Sequence, residues 1–300
     1  MRKIALATMT CLLLAAAPPV AAKDAPLHRA VIADPAPDSA YPAGMSAFVI
    51  PARDGAMNAV LYTAAGAGPH PTLLLLHGFP GNEQNLDLAQ AARRAGWHVL
   101  TLHYRGSWGS PGRFSFGGAA EDAHSALAFL RDPATVAKYR IDTSAIAVAG
   151  HSMGGFMAAD AAADDPKVAG LFLLDPWDPA QTAAALADPK AAAAWREEVA
   201  SDLPPLNGAT YESLTGEIGG DAARFDLGRR LFALGQRPLT IIGAERGIGA
   251  MARKVTADAQ AANPEARLIV WPTDHSFSDS RVKLADALVR WLDRIAPTVR

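Results

Sequence analysis

The stretch that most constrains this chain runs from Ala145 to Ala163. An apolar run, Ala145-Ile146-Ala147-Val148-Ala149, passes into Gly150-His151-Ser152-Met153-Gly154, and an Ala-rich segment from Gly155 to Ala163 follows. The first run reads as a buried strand and the last as a helix, which leaves only a tight turn between them. G-x-S-x-G at a strand-to-helix junction is the pattern of a nucleophile elbow. A serine at the tip of such a turn has a strained backbone, and side chains at the flanking positions would strike the neighbouring strand and helix. Glycine at both flanks removes that clash. Taken alone, the pentapeptide also fits a plain helix start with Ser152 as N-cap. The strand before it and the partners described below favour the elbow.

The same alternation runs through the chain. Met45–Ile50 and Met57–Thr63 read as a hairpin turning at Arg53-Asp54-Gly55. Thr72–Leu76, Trp97–His103, Val168–Leu174, Pro238–Ile242 and Ala266–Val270 read as further strands. Helical periodicity covers Leu86–Ala95, Gly118–Leu130, Gly249–Ala262 and Ser280–Ile295, the last with Leu284, Leu288 and Leu292 on one face. Strands alternating with helices predict an α/β fold, with a mainly parallel central sheet and helices on both faces. One stretch, about residues 176–237, breaks the rhythm. It lacks strand character and contains helix-like pieces such as Lys190–Ala200, so it reads as a small helical lid inserted between two strands. Trp177, Trp195, Leu203, Leu206, Tyr211 and Leu214 lie in it, and some of them are expected to line a pocket.

The chain ends of this scheme carry a different signal. Met1-Arg2-Lys3 is a basic start, Ile4–Ala17 is short and apolar, and Val20-Ala21-Ala22 offers a small-residue cleavage site. Residues 1–22 therefore read as a signal peptide, residues 23–44 as an arm and residues 45–300 as one domain. The expectation is an exported protein, periplasmic or secreted, with no stable membrane span after cleavage. The one cysteine, Cys11, falls within the signal. With 50% hydrophobic residues, 19% charged residues and a formal net charge of −2, nothing points to nucleic acid as a partner. No metal-ligand spacing, nucleotide loop or flavin motif stands out, so no cofactor is expected.

An activated serine needs a base, a group to orient that base, and donors for a developing oxyanion. His275, in Thr273-Asp274-His275-Ser276-Phe277, follows the last strand and precedes the closing helix, so it is the candidate base. His151 is only the variable residue of the elbow. His77-Gly78-Phe79-Pro80-Gly81 follows the Thr72–Leu76 strand as a glycine-rich turn. Its candidate donor is the N–H of Phe79, paired with that of Met153, because Pro80 has no N–H.

These pieces, together with Tyr104-Arg105-Gly106-Ser107-Trp108-Gly109-Ser110-Pro111-Gly112 and Glu121-Asp122, resemble an α/β-hydrolase superfamily serine hydrolase of the dienelactone-hydrolase-like and prolyl-oligopeptidase-like group. The resemblance covers about Met45 to Ile295. It implies the α/β-hydrolase fold, Ser152 as nucleophile, His275 as base, and Phe79 with Met153 as oxyanion donors. The chain departs from the group at the acid. Similar hydrolases place an aspartate after the penultimate strand, where this chain reads Gly243-Ala244-Glu245-Arg246-Gly247. Glu245 is the expected acid there, with Asp175 or Asp178 after the Val168–Leu174 strand as the alternative, and a site without a strong acid as the third. The implied substrate is a small-molecule ester or amide, and esterase is favoured over peptidase because the chain has no room for a propeller domain. A small aminopeptidase-like hydrolase stays open, as does an impaired scaffold serving as a binding or accessory protein. Oligomeric state is not legible.

Overall fold

The computed structural model describes residues 26–296, so the expected signal peptide, Cys11 and the expected new terminus at Lys23 lie outside the described residues. The arm that follows is only partly extended. A single helical turn, α1 (Arg29–Ile32), docks on the body: Arg94 donates to the Ala30 carbonyl, and the His28 N–H donates to Asp286.

The hairpin β1 (Gly44–Ala52) and β2 (Gly55–Thr63) leads to β3 (His70–Leu76). Helix α2 (Leu86–Arg94), strand β4 (His98–His103), helices α3 (Phe116–Arg131) and α4 (Pro133–Tyr139), strand β5 (Ile141–His151), helix α5 (Met153–Asp164) and strand β6 (Val168–Leu174) follow. Four helices fill the insertion: α6 (Pro179–Ala185), α7 (Pro189–Asp202), α8 (Tyr211–Gly220) and α9 (Leu227–Ala233). The chain then closes through β7 (Leu239–Arg246), α10 (Gly249–Gln260), β8 (Arg267–Asp274) and α11 (Arg281–Ile295).

The eight strands form one sheet in the order β1-β2-β4-β3-β5-β6-β7-β8. β1 and β2 are antiparallel, β2 meets β4 antiparallel, and every pairing from β4 to β8 is parallel. Strand composition follows from this layering. All seven residues of β3 are buried, as are the last seven of β5, because helices cover both faces of the centre. One face packs Val148, Phe156 and Leu173 against α3, α5, α9 and α10. The other packs Leu75, Phe172 and Ile242 under α2 and α11, with Leu284, Leu288, Trp291 and Leu292 facing inward. The strand order reverses direction about β3, so the carboxyl ends of β3 and β5 face a common crevice, the ordinary place for a site in such a sheet.

Strand placements match the sequence reading closely, and β7 and β8 each extend further than expected, to Arg246 and Asp274. The lid is built of four helices joined by short loops, one of which bridges Leu206 to Ser107. Its contents divide: Trp177 and Trp195 reach the crevice, whereas Leu206, Leu214 and their neighbours pack the lid onto the body.

Candidate active site

Ser152 lies between β5 and α5 with φ 54° and ψ −120°, a conformation that costs a non-glycine residue about 1–3 kcal/mol. Three bonds hold it there. Its N–H donates to the Leu174 carbonyl at 2.9 Å, and its own carbonyl accepts from Trp177 at 3.0 Å and from Gly155 at 2.9 Å. The flanking glycines are sterically required. A Cβ on Gly150 would overlap the Gly154 carbonyl, and one on Gly154 would overlap the Leu76 carbonyl. The hydroxyl is thereby lifted out of the sheet into a cavity of about 550 Å³.

His275 reaches the same cavity from the loop between β8 and α11. Its Nδ1 lies 2.7 Å from Oδ2 of Asp175, which is completely buried at the end of β6. The Asp175 carboxylate also accepts from two backbone donors, Ala244 N–H on Oδ1 at 2.9 Å and Ile248 N–H on Oδ2 at 2.8 Å. Since a carboxylate accepts, Nδ1 of His275 carries the hydrogen and Nε2 is left free to take a proton. Among the described residues no hydrogen bond yet joins Ser152 Oγ to the imidazole. Such contacts are often long without substrate and tighten when it binds.

The carboxylate on His275 is thus Asp175, and the expectation of Glu245 is corrected. Glu245 sits near the end of β7 with an exposed side chain and no hydrogen bond to the imidazole. Asp178 is not at the imidazole either. It caps α6, accepting from Ala180 at 3.1 Å and from the Gln181 amide at 2.7 Å.

Phe79 and Met153 both line the cavity, and among the described residues neither N–H has a hydrogen-bond acceptor. Met153 opens α5, so its free N–H also carries the positive end of the helix dipole. The Gly78 turn presses closely on the elbow serine: a Cβ there would come within 2.9 Å of Ser152 Cβ. Behind it, His77 donates from Nδ1 to the Gly78 carbonyl at 2.7 Å, and the Trp108 indole donates to the Pro80 carbonyl at 2.9 Å. Burial lowers His77 to a pKa of about 4, so it stays neutral in this role.

The remaining wall is mainly apolar: Phe116, Trp177, Leu186, Trp195, Ile248 and Met251. Trp177 and Trp195 stack at 5.9 Å between centroids. Their indole N–H groups are satisfied by Thr182 and Thr215, so the rings offer apolar faces without an unpaired polar atom. Glu198 and Asp202, one turn apart on α7, stand at the rim, and desolvation raises both carboxyls above the usual range. Their i, i+4 spacing was present in the sequence but gave no sign of facing the cavity. Among the described residues, no group of three or more His, Cys, Asp or Glu side chains is placed to hold a metal ion, and no helix is long and apolar enough to cross a membrane.

Comparison with known proteins agrees with this architecture. The family described as alpha/beta hydrolase fold matches residues 71–227, which carry both the Gly78 turn and the elbow. This chain belongs to the alpha/beta hydrolase fold family. An uncharacterized protein of Mycobacterium tuberculosis is 34% identical over 147 residues, 48% of this chain and 49% of that protein. The sn-1-specific diacylglycerol lipase ABHD11 of Xenopus tropicalis is 32% identical over 119 residues, 39% of this chain and 34% of the lipase. The matches thus span about half, or less, of these curated relatives. A solved esterase of Pyrococcus furiosus superposes with a TM-score of 0.62 at 16% identity, covering 84% of this chain and 91% of that one, a likeness of fold.

Proposed function

We propose that this member of the alpha/beta hydrolase fold family is a serine hydrolase that cleaves a small carboxylic ester, or an amide, through an acyl-enzyme on Ser152. The observation that carries the reading is the buried Asp175–His275 bond of 2.7 Å on the wall of the cavity that holds the elbow serine. In the proposed reaction, Ser152 Oγ attacks the substrate carbonyl carbon while its proton passes to Nε2 of His275. The carbonyl π electrons move to oxygen, and the N–H groups of Phe79 and Met153 stabilise that oxyanion. Asp175 keeps the imidazole in the accepting tautomer and stabilises the imidazolium. The tetrahedral species collapses, the bond to the leaving group breaks, and the imidazolium returns its proton to the departing alkoxide or amine. Water then repeats the sequence against the acyl-enzyme, releasing a carboxylic acid and restoring Ser152.

Ester chemistry is favoured by the apolar walls and by the lipase and esterase names carried by the Xenopus relative and the Pyrococcus fold neighbour. Two measurements test the proposal. A fluorophosphonate probe is expected to label the wild-type protein at Ser152, and Ser152→Ala is expected to abolish both labelling and p-nitrophenyl ester turnover with the melting temperature retained. Unlabelled wild-type protein, or unchanged turnover in Ser152→Ala, refutes it.

A further inference from the structure

The scheme above gives His151 no task, although its surroundings are specific. The side chain is 4% exposed and forms part of the cavity wall. Nε2 lies 2.8 Å from the backbone carbonyl oxygen of His275. A carbonyl can only accept, so Nε2 bears the hydrogen and Nδ1 is the bare nitrogen. That Nδ1 is buried and without a partner among the described residues. The ring also packs against the His275 imidazole in a tilted arrangement, with centroids 4.7 Å apart and planes at 37°, and meets Phe277 edge-on at 6.4 Å.

Burial, with the nearby His275 as a smaller cause, lowers the His151 pKa to about 3. The ring therefore stays neutral, with its Nε2–H in place, throughout the pH range in which a serine–histidine pair operates. A donor that stays neutral across this pH range beside the base is suited to hold geometry and cannot itself relay a proton through the carbonyl it is bonded to.

We infer that His151 is a positioning residue, whose Nε2–H clamps the His275 backbone and whose ring supports the imidazole face, so that the base is held in register with the nucleophile. Asp175 fixes only the Nδ1 side of the imidazole. The loop that carries His275 lies outside strand and helix, and its other ties fall on either side of residue 275: Phe277 N–H to the Asp274 carbonyl, Ser278 N–H to the Asp274 carboxylate, and Arg281 to the Ser276 carbonyl. His151 supplies the tie at residue 275 itself. Because His151 and Ser152 share a peptide bond, any shift of the elbow carries the backbone of the base with it. That coupling matters because a displacement of about 1 Å between reacting groups is enough to cost on the order of 10²-fold in rate.

This inference rests on the serine hydrolase reading, and its test separates the two. His151→Gln and His151→Met place side chains of similar length at the site, one with an amide donor and one without. With p-nitrophenyl butyrate and the full chain, His151→Met is expected to lose about 10–100-fold in kcat with KM nearly unchanged. His151→Gln is expected to recover most of that loss. The rate of fluorophosphonate labelling should fall in parallel with kcat in His151→Met, and the downfield proton resonance of the His275–Asp175 bond should broaden. Equal losses in the two variants overturn the clamp, as does a His151→Met enzyme with wild-type kcat. If His151→Met fails to fold, His151→Phe, which keeps an aromatic face, replaces it as the variant without a donor, judged by the same criteria. Wild-type protein that neither labels nor turns over ester refutes the hydrolase reading itself.

Discussion

Two strand ends approach His275, one from β6 and one from β7, and both carry a carboxylate. Asp175 at the end of β6 is fully buried and bonded to the imidazole, whereas Glu245 near the end of β7 is exposed. The difference lies in what the two loops do with their backbone. Residues Ala244 to Gly247 form a turn closed by Gly247 N–H donating to the Ala244 carbonyl at 3.1 Å. That turn directs the N–H groups of Ala244 and Ile248 at Asp175. The β7 loop therefore serves as the receptor for the acid, and the β6 end supplies it. Gly247 marks the exchange: a Cβ there would overlap Asp175 Oδ2 and lie 3.0 Å from His275 Cα. The space that a β7 acid would occupy is taken by the side chain from β6. Which of two nearby carboxylates orients a histidine is decided by donors and room, more than by its place in the chain.

The largest effect that can break this comparison is expected from Asp175→Asn. The imidazole would lose the partner that fixes its tautomer, and kcat is expected to fall about 10²–10⁴-fold. The amide NH2 would also face one of the two backbone donors, so stability should drop by about 1–3 kcal/mol. Steady-state kinetics and chemical denaturation read the two losses separately. A kcat reduction of less than about tenfold would remove Asp175 from the role of orienting acid.

Gly247→Ala probes the space in place of the charge. The added methyl must displace either the Asp175 carboxylate or the His275 backbone, and overpacking of this kind costs about 1–3 kcal/mol. Because both groups belong to the proposed machinery, kcat is expected to fall about 10–100-fold while Asp175 remains present. A melting curve and kcat close to wild type would show that the loop yields freely and that room did not select the acid.

The contrast between these loops also marks how far the sequence could be read. The elbow was legible because its glycines, strand and helix are adjacent in the chain, and strand and helix periods are local signals. His275 was legible as a candidate because it stands between β8 and α11. The acid was ambiguous because Asp175, Asp178 and Glu245 are similar groups at two strand ends, and the deciding facts are long-range. Bonds from Ala244 and Ile248 to a residue about seventy positions earlier have no pattern in the sequence. Gly247 held a clue, since a glycine where related loops carry aspartate signals a close approach, but not what approaches. His151 was passed over for the same reason: its partner is a backbone carbonyl 124 residues away. In the lid, missing strand character and helix-like pieces pointed to helices, and apolar residues to a pocket wall, yet only tertiary packing separates Trp177 and Trp195 on the cavity wall from Leu206 and Leu214 in the core.

The smallest effect is expected from Glu245→Gln, and it sharpens the comparison because it removes the charge that chain order alone would favour. Glu245 is exposed, and the neighbouring Arg246 is engaged elsewhere, donating to Asp279 at 2.9 Å and to the Pro272 carbonyl at 2.5 Å. Nothing bonded to the imidazole changes, so kcat should stay within about twofold of wild type and stability within about 0.5 kcal/mol. The side chain is solvated, and water screens what field it exerts on the reacting groups. Raising ionic strength should therefore leave the ratio of variant to wild-type kcat near one. A loss approaching that of Asp175→Asn would mean that the β7 loop rearranges when substrate binds and brings Glu245 to His275, and the division of labour between the two strand ends would have to be reversed.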